Sequence, residues 1–124
     1  MNKTFALTAR LTSLKHAIHG LMLLLTTQAN ARLHAIAAIL VTLIGLYLGF
    51  TKAEWCWIVL TITAVWVAET FNTALEFLAD AVSPDYHPLI GKAKDVAAGA
   101  VLLAAIGSVL IGLIIIVPYL FKSN

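Results

Sequence analysis

Five of the six acidic residues in this 124-residue chain fall between Glu69 and Asp95, and three of them recur at helical spacing in an otherwise apolar stretch. At about 100° per residue, Glu76 and Asp80 lie about 700° and about 1100° around a helix from Glu69, which reduce to about −20° and about +20°. Glu69, Glu76 and Asp80 therefore share one narrow stripe flanked by Asn72 and Thr73, while Phe71, Ala74, Leu75, Phe77, Leu78 and Ala79 fill the other faces. An ionised carboxylate within a membrane span costs about 2.5–3.5 kcal/mol on insertion scales, so a cation or a proton must offset such a stripe. Magnesium commonly binds one or two carboxylates together with substrate phosphates. A carboxylate among apolar neighbours holds its proton more tightly, which suits a general base. The stripe can thus hold a magnesium nucleotide at one end and take a hydroxyl proton at the other. Lys94 is placed to meet phosphate oxygens, and Asp95 to hold Asn72, Lys94 or the metal. Two other readings exist: plain helix-terminus salt bridges to Lys92, Lys94 and Arg32, and a proton or ion pathway. The second is weakened because a short stripe at one membrane face does not cross the bilayer.

The elements that carry these residues follow from composition and hydropathy. The chain is 61% hydrophobic and 11% charged, with a mean hydropathy of +0.96. Soluble domains sit near about 45–50% apolar and about 25% charged, so a bilayer is the solvent this chain needs. A net charge of +2 leaves no basic patch for nucleic acid. The single cysteine, Cys56, excludes an intrachain disulfide and reads as a small packing residue. The N-terminal stretch does not read as a cleavable signal. Three transmembrane helices are expected over 33–50, 55–82 and 92–121, joined by a polar turn at 51–54 and a Ser/Pro/Gly-rich loop after residue 82.

Ahead of them, Phe5, Leu7, Leu11, Leu14, Ile18, Leu21 and Leu25 recur at helical spacing with Arg10, Lys15, His16 and His19 between them. That pattern predicts an amphipathic surface helix over 5–29, the alternative being a partly inserted helix packed on its own bundle. The fold class is therefore an all-α membrane protein, one domain of three spans and a surface helix. Lys3, Arg10, Lys15 and Arg32 before the first span, with Lys92 and Lys94 near the second loop, outnumber Lys52 and Lys122 on the other side. This places the N-terminus and the second loop in the cytoplasm, with Trp55, Trp57 and Tyr119 near the opposite headgroups. His16, His19 and His34 are capable of binding metal or phosphate but read more readily as interfacial hydrogen-bonding residues, and His87 as a turn residue. Ala100, Ala104, Ser108 and Gly112 form a ridge of small residues suited to close helix packing.

The stretch from Glu69 through Asn72 and Glu76 to Asp80, then Tyr86-His87, then Gly91 through Lys94-Asp95 to Ala100-Val101, resembles the signature of the prokaryotic diacylglycerol kinase family. The resemblance covers about residues 10–120. It implies a homotrimer in the bacterial cytoplasmic (inner) membrane, with active sites shared between neighbouring subunits. It also implies transfer of the ATP γ-phosphate to a lipid hydroxyl. Carried over by position, Glu69 is the general base on the lipid, Glu76 holds Mg-ATP, and Asn72, Asp80, Lys94 and Asp95 shape the nucleotide and phosphate site. Arg10 matches a basic residue of the surface helix that touches nucleotide or lipid. Where the family usually has a second glutamate as metal ligand, this chain has Gln28, which offers a carbonyl oxygen without charge. That departure opens the alternative of a non-catalytic homologue that only binds lipid or partners. Arg32-Leu-His34, Thr51-Lys-Ala-Glu-Trp55 and Val117-Pro118 are more similar to the undecaprenol branch of the family than to the diacylglycerol branch.

Overall fold

The computed structural model describes residues 3–121, which form four helices and no strand. They are α1 (Lys3–Thr27), α2 (Ala29–Leu48), α3 (Lys52–Val82) and α4 (Pro88–Leu120). Lys122 and the side chains of Lys3 and Phe5, used above, lie outside the described residues. The last three helices are each long and apolar enough to cross a membrane. The shortest, α2, has 20 residues, and 20 residues at about 1.5 Å each match a hydrocarbon core of about 30 Å. The all-α, three-span architecture expected from the sequence is the one observed.

Each junction has a local chemical cause. Gln28 alone is extended (φ −104°, ψ 119°) and divides α1 from α2. The Arg32 guanidinium donates to the carbonyls of Leu25 at 3.4 Å and Thr26 at 3.2 Å, which satisfies the end of α1. Helix α2 therefore starts at Ala29, before the apolar run does. It ends at Gly49, whose left-handed backbone (φ 72°) lets the amides of Gly49 and Phe50 both reach the Gly45 carbonyl at 3.0 Å. Thr51 then forms a capping box: its amide donates to the Glu54 carboxylate at 2.7 Å, and the Glu54 amide donates to its hydroxyl at 3.3 Å. The same carboxylate accepts from the Tyr119 hydroxyl at 2.7 Å, tying the far end of α4 to the start of α3. Residues 83–87 form the second connection, and His87 caps α4 by accepting the Leu89 amide at 3.2 Å, with Pro88 opening the helix.

Helix α3 is the central span. One third (33%) of its most apolar stretch is buried, against 11% for α2 and 6% for α4. It packs chiefly on α4, where the Ser108 hydroxyl donates to the Thr61 carbonyl at 3.3 Å. At one end Phe50, Ile58 and Ile115 are buried together beneath Trp55 and Tyr119. Helix α1 touches α2 and α3, and Leu24 is its one buried side chain among the described residues. Leu7, Leu11, Leu14 and Ile18 remain exposed, so the apolar stripe of α1 is not packed on its own bundle.

Candidate functional site

The acidic stripe runs from the bundle interior to its rim. Glu69 is 2% exposed, Asn72 and Thr73 are buried beside it, Glu76 is half-buried one turn on, and Asp80 is exposed. The helical period puts them on one line, and packing against α2 and α4 encloses the half of that line nearest the membrane centre. Asn30, Leu33 and His34 of α2 face it, together with Ala98, Val101, Leu102 and Ala105 of α4. These groups and Glu69, Asn72 and Glu76 line an open cavity of about 310 Å³. Alanine at 98 and 105 leaves the space that larger side chains would fill.

The polar groups in this cavity are incompletely paired. The Asn72 amide nitrogen donates to Glu76 Oε1 at 3.0 Å. The opposite atom, Asn72 Oδ1, is buried without a hydrogen-bond partner, as are Glu69 Oε2 and Thr73 Oγ1. His34 Nε2 lies 3.9 Å from Glu69 Oε2, beyond hydrogen-bond length. A buried polar group left unpaired costs about 1–3 kcal/mol, and two of these three, Glu69 Oε2 and Asn72 Oδ1, belong to residues that line the cavity, which suits it to a polar ligand.

The remaining sequence candidates sit further out. Lys94 Nζ donates to Asp80 Oδ1 at 2.7 Å, joining α4 to α3 at the rim of the site. For Asp80, then, the plain salt-bridge reading describes the pair as it stands. Arg10 on α1 and Asp95 on α4 are exposed, and among the described residues no hydrogen bond or ion pair ties either to the cavity. Gln28 is half-buried at the α1–α2 junction, with no side-chain bond to the cap it occupies. No group of three or more His, Cys, Asp or Glu side chains is gathered to hold a metal among the described residues. The donor set fits an ion bound through one carboxylate, Glu76, plus nucleotide oxygens and water. It does not fit an all-protein cage.

His34, which the sequence presents chiefly as an interfacial residue, stands at a junction. It and Ala105 line the polar cavity and also a second, apolar cavity of about 300 Å³ between α2, α3 and α4. The two hydroxyls in that second lining are already bonded, Thr61 to the Ile58 carbonyl at 2.9 Å and Ser108 to the Ala104 carbonyl at 2.8 Å. The groove thus offers hydrocarbon surface with both of its hydroxyl donors satisfied, and it shares His34 and Ala105 with the cavity that Glu69 lines.

The family described as "Prokaryotic diacylglycerol kinase" matches residues 15–116. The chain is 39% identical over 108 residues to the undecaprenol kinase of Bacillus subtilis (strain 168), covering 87% of this chain and 88% of that protein. It is 38% identical over 113 residues to the diacylglycerol kinase of Synechocystis, covering 90% of this chain and 65% of that protein. It is 28% identical over 109 residues to the diacylglycerol kinase of Escherichia coli (strain K12), covering 88% and 89%. With the match covering α2, α3, most of α4 and the whole acidic stripe, the chain belongs to the prokaryotic diacylglycerol kinase family.

Proposed function

We propose that this protein phosphorylates the hydroxyl of a membrane lipid with ATP, using Glu69 as general base. The observation that carries this reading is that an apolar groove and a cavity lined by a buried carboxylate with an unpaired oxygen share His34 and Ala105 as common wall. A lipid alcohol has that shape: one polar atom on a hydrocarbon chain. Glu69 takes the proton of the lipid hydroxyl, the lipid oxygen forms a bond to the γ-phosphorus, and the bond from that phosphorus to the bridging oxygen of ADP breaks. Asn72 holds Glu76 by its amide, and Glu76 faces the nucleotide. Magnesium arriving with ATP would be held by Glu76, with Gln28 offering a neutral carbonyl oxygen, and would supply charge neutralisation on the phosphate oxygens. Lys94, freed from Asp80 or shared with it, meets the phosphates. Asp95 and Arg10 approach the nucleotide from α4 and α1. We read the acceptor as undecaprenol ahead of diacylglycerol, supported by the Bacillus relative and by Arg32-Leu-His34. The working unit in this reading is a homotrimer in the bacterial inner membrane, with the site at the cytoplasmic face.

The test is transfer of labelled γ-phosphate from Mg-ATP in mixed micelles, with undecaprenol and diacylglycerol in parallel. Preferential labelling of undecaprenol is the expected result. Equal or reversed labelling overturns the acceptor assignment. Labelling of neither lipid by a folded preparation overturns the kinase reading in favour of a non-catalytic, lipid-binding homologue.

A further inference from the structure

We propose that His34 is a positioning residue for phosphoryl transfer, holding the Glu69 carboxylate by its Oε2 so that the other oxygen meets the acceptor hydroxyl. The inference rests on the reading of Glu69 as the base. A carboxylate that is 2% exposed inside a membrane span needs a compensating donor or cation. The neighbouring elements offer few. On α2, the Arg32 guanidinium is turned away to the carbonyls of Leu25 and Thr26. On α4, Lys94 is bonded to Asp80 at 2.7 Å. On α3 itself, the nearby charge is the Glu76 carboxylate, which repels Glu69 and is engaged by Asn72. The ring nitrogen of His34, 3.9 Å from the partnerless Oε2, is the group within reach.

A shift of about 1 Å closes that distance to a hydrogen bond, and catalytic contacts that are long without substrate commonly tighten when it binds. The placement has a second consequence. His34 is 22% exposed by its side chain and lines both cavities, so a hydrocarbon chain entering the groove presses on the same ring that faces the carboxylate.

The experiment compares His34→Leu, which lacks a donor, with His34→Gln, whose amide reaches a similar distance, in the full chain in mixed micelles. Misplacing a reacting group by about 1 Å costs about 100-fold in rate, and that loss is expected in kcat for His34→Leu with the KM for Mg-ATP unchanged. His34→Gln is expected to recover kcat to within about tenfold of the unmodified chain, because a neutral donor suffices for orientation. Adding His34→Leu to Glu69→Gln is expected to cause no further loss, since the group being positioned is gone. The proposal is overturned if His34→Leu turns over normally, if His34→Gln falls as far as His34→Leu, or if the losses multiply in the double variant. Should His34→Leu fail to fold, His34→Asn decides: its shorter amide stops short of Oε2, so a loss in kcat supports the proposal and normal turnover overturns it. Full activity of Glu69→Gln alone overturns the base assignment, a failure distinct from all of these.

Discussion

Glu69 and Gln28 are the two residues at which the chemistry of the site turns on one atom. Glu69→Gln keeps the size and hydrogen-bonding shape of the side chain while removing its ability to take a proton. A positioned base contributes about 10²- to 10⁴-fold, so turnover is expected to fall by at least about 100-fold. Because the carboxylate is buried with an unpaired oxygen, the neutral amide is expected to leave helix content and thermal midpoint no lower than before, which circular dichroism in micelles checks. Gln28→Glu is the opposite experiment, adding charge at the α1–α2 junction. If Gln28 completes the metal site, the magnesium concentration for half-maximal turnover is expected to fall about tenfold, since ligand charge count tunes affinity for hard cations. No change would place Gln28 outside the metal site and leave Glu76 as its protein ligand.

The stripe itself was legible in the sequence because the helical period alone determines which residues share a face. His34 was not, because its role depends on the register between two helices. In retrospect the register was countable. At 1.5 Å per residue His34 lies about 24 Å before Phe50 along α2 and Glu69 about 28 Å after it along α3, so an antiparallel pair brings them to one level.

The elements are set by short-range chemistry at their ends, and this was only partly visible in hydropathy. The apolar runs located the cores of α2, α3 and α4, but helices continue past the hydrocarbon wherever capping allows. Thus α3 begins at Lys52 through the Thr51–Glu54 box and α4 at Pro88 through His87. The break at Gln28 has no proline or glycine to announce it; it is seen only once Arg32 is found bonding the end of α1. Two substitutions test the α2–α3 turn. Thr51→Ala removes the hydroxyl that accepts the Glu54 amide, and loss of such a cap costs about 1 kcal/mol. Gly45→Ala places a Cβ 2.6 Å from Phe50 Cδ2 and 2.8 Å from Trp55 Cη2. Those rings lie 5.5 Å apart in the cluster that closes this end of the bundle, and overpacking there costs about 1–3 kcal/mol. Both variants are expected to unfold at a lower fraction of denaturing detergent, Gly45→Ala more so. The folded fraction should keep its phosphoryl-transfer rate, because the turn is at the end of the bundle opposite Glu69.

At the scale of the molecule, one chain leaves most of its apolar surface uncovered. Phe71 is 74% exposed, Val96 75% and Leu103 73%, all on spans and all apolar. Hydrocarbon or neighbouring copies must cover them. Orientation follows from how the helices run. Helix α2 starts, α3 ends and α4 starts at the same end of the bundle, and that end carries Arg32, Lys92, Lys94 and the cavity with Glu69. On the proposed reading the positive-inside rule puts this end in the cytoplasm, where the ATP that the proposed reaction consumes is found. Cys56, exposed one turn into α3, lies at the other end. A membrane-impermeant maleimide is therefore expected to label Cys56 from outside intact spheroplasts. In the double variant Cys56→Ser with Asp85→Cys, the new thiol in the α3–α4 connection is expected to react only after permeabilisation. The reverse pattern would put Glu69 on the face without ATP, and the kinase reading would fail with it, however well the cavity is formed.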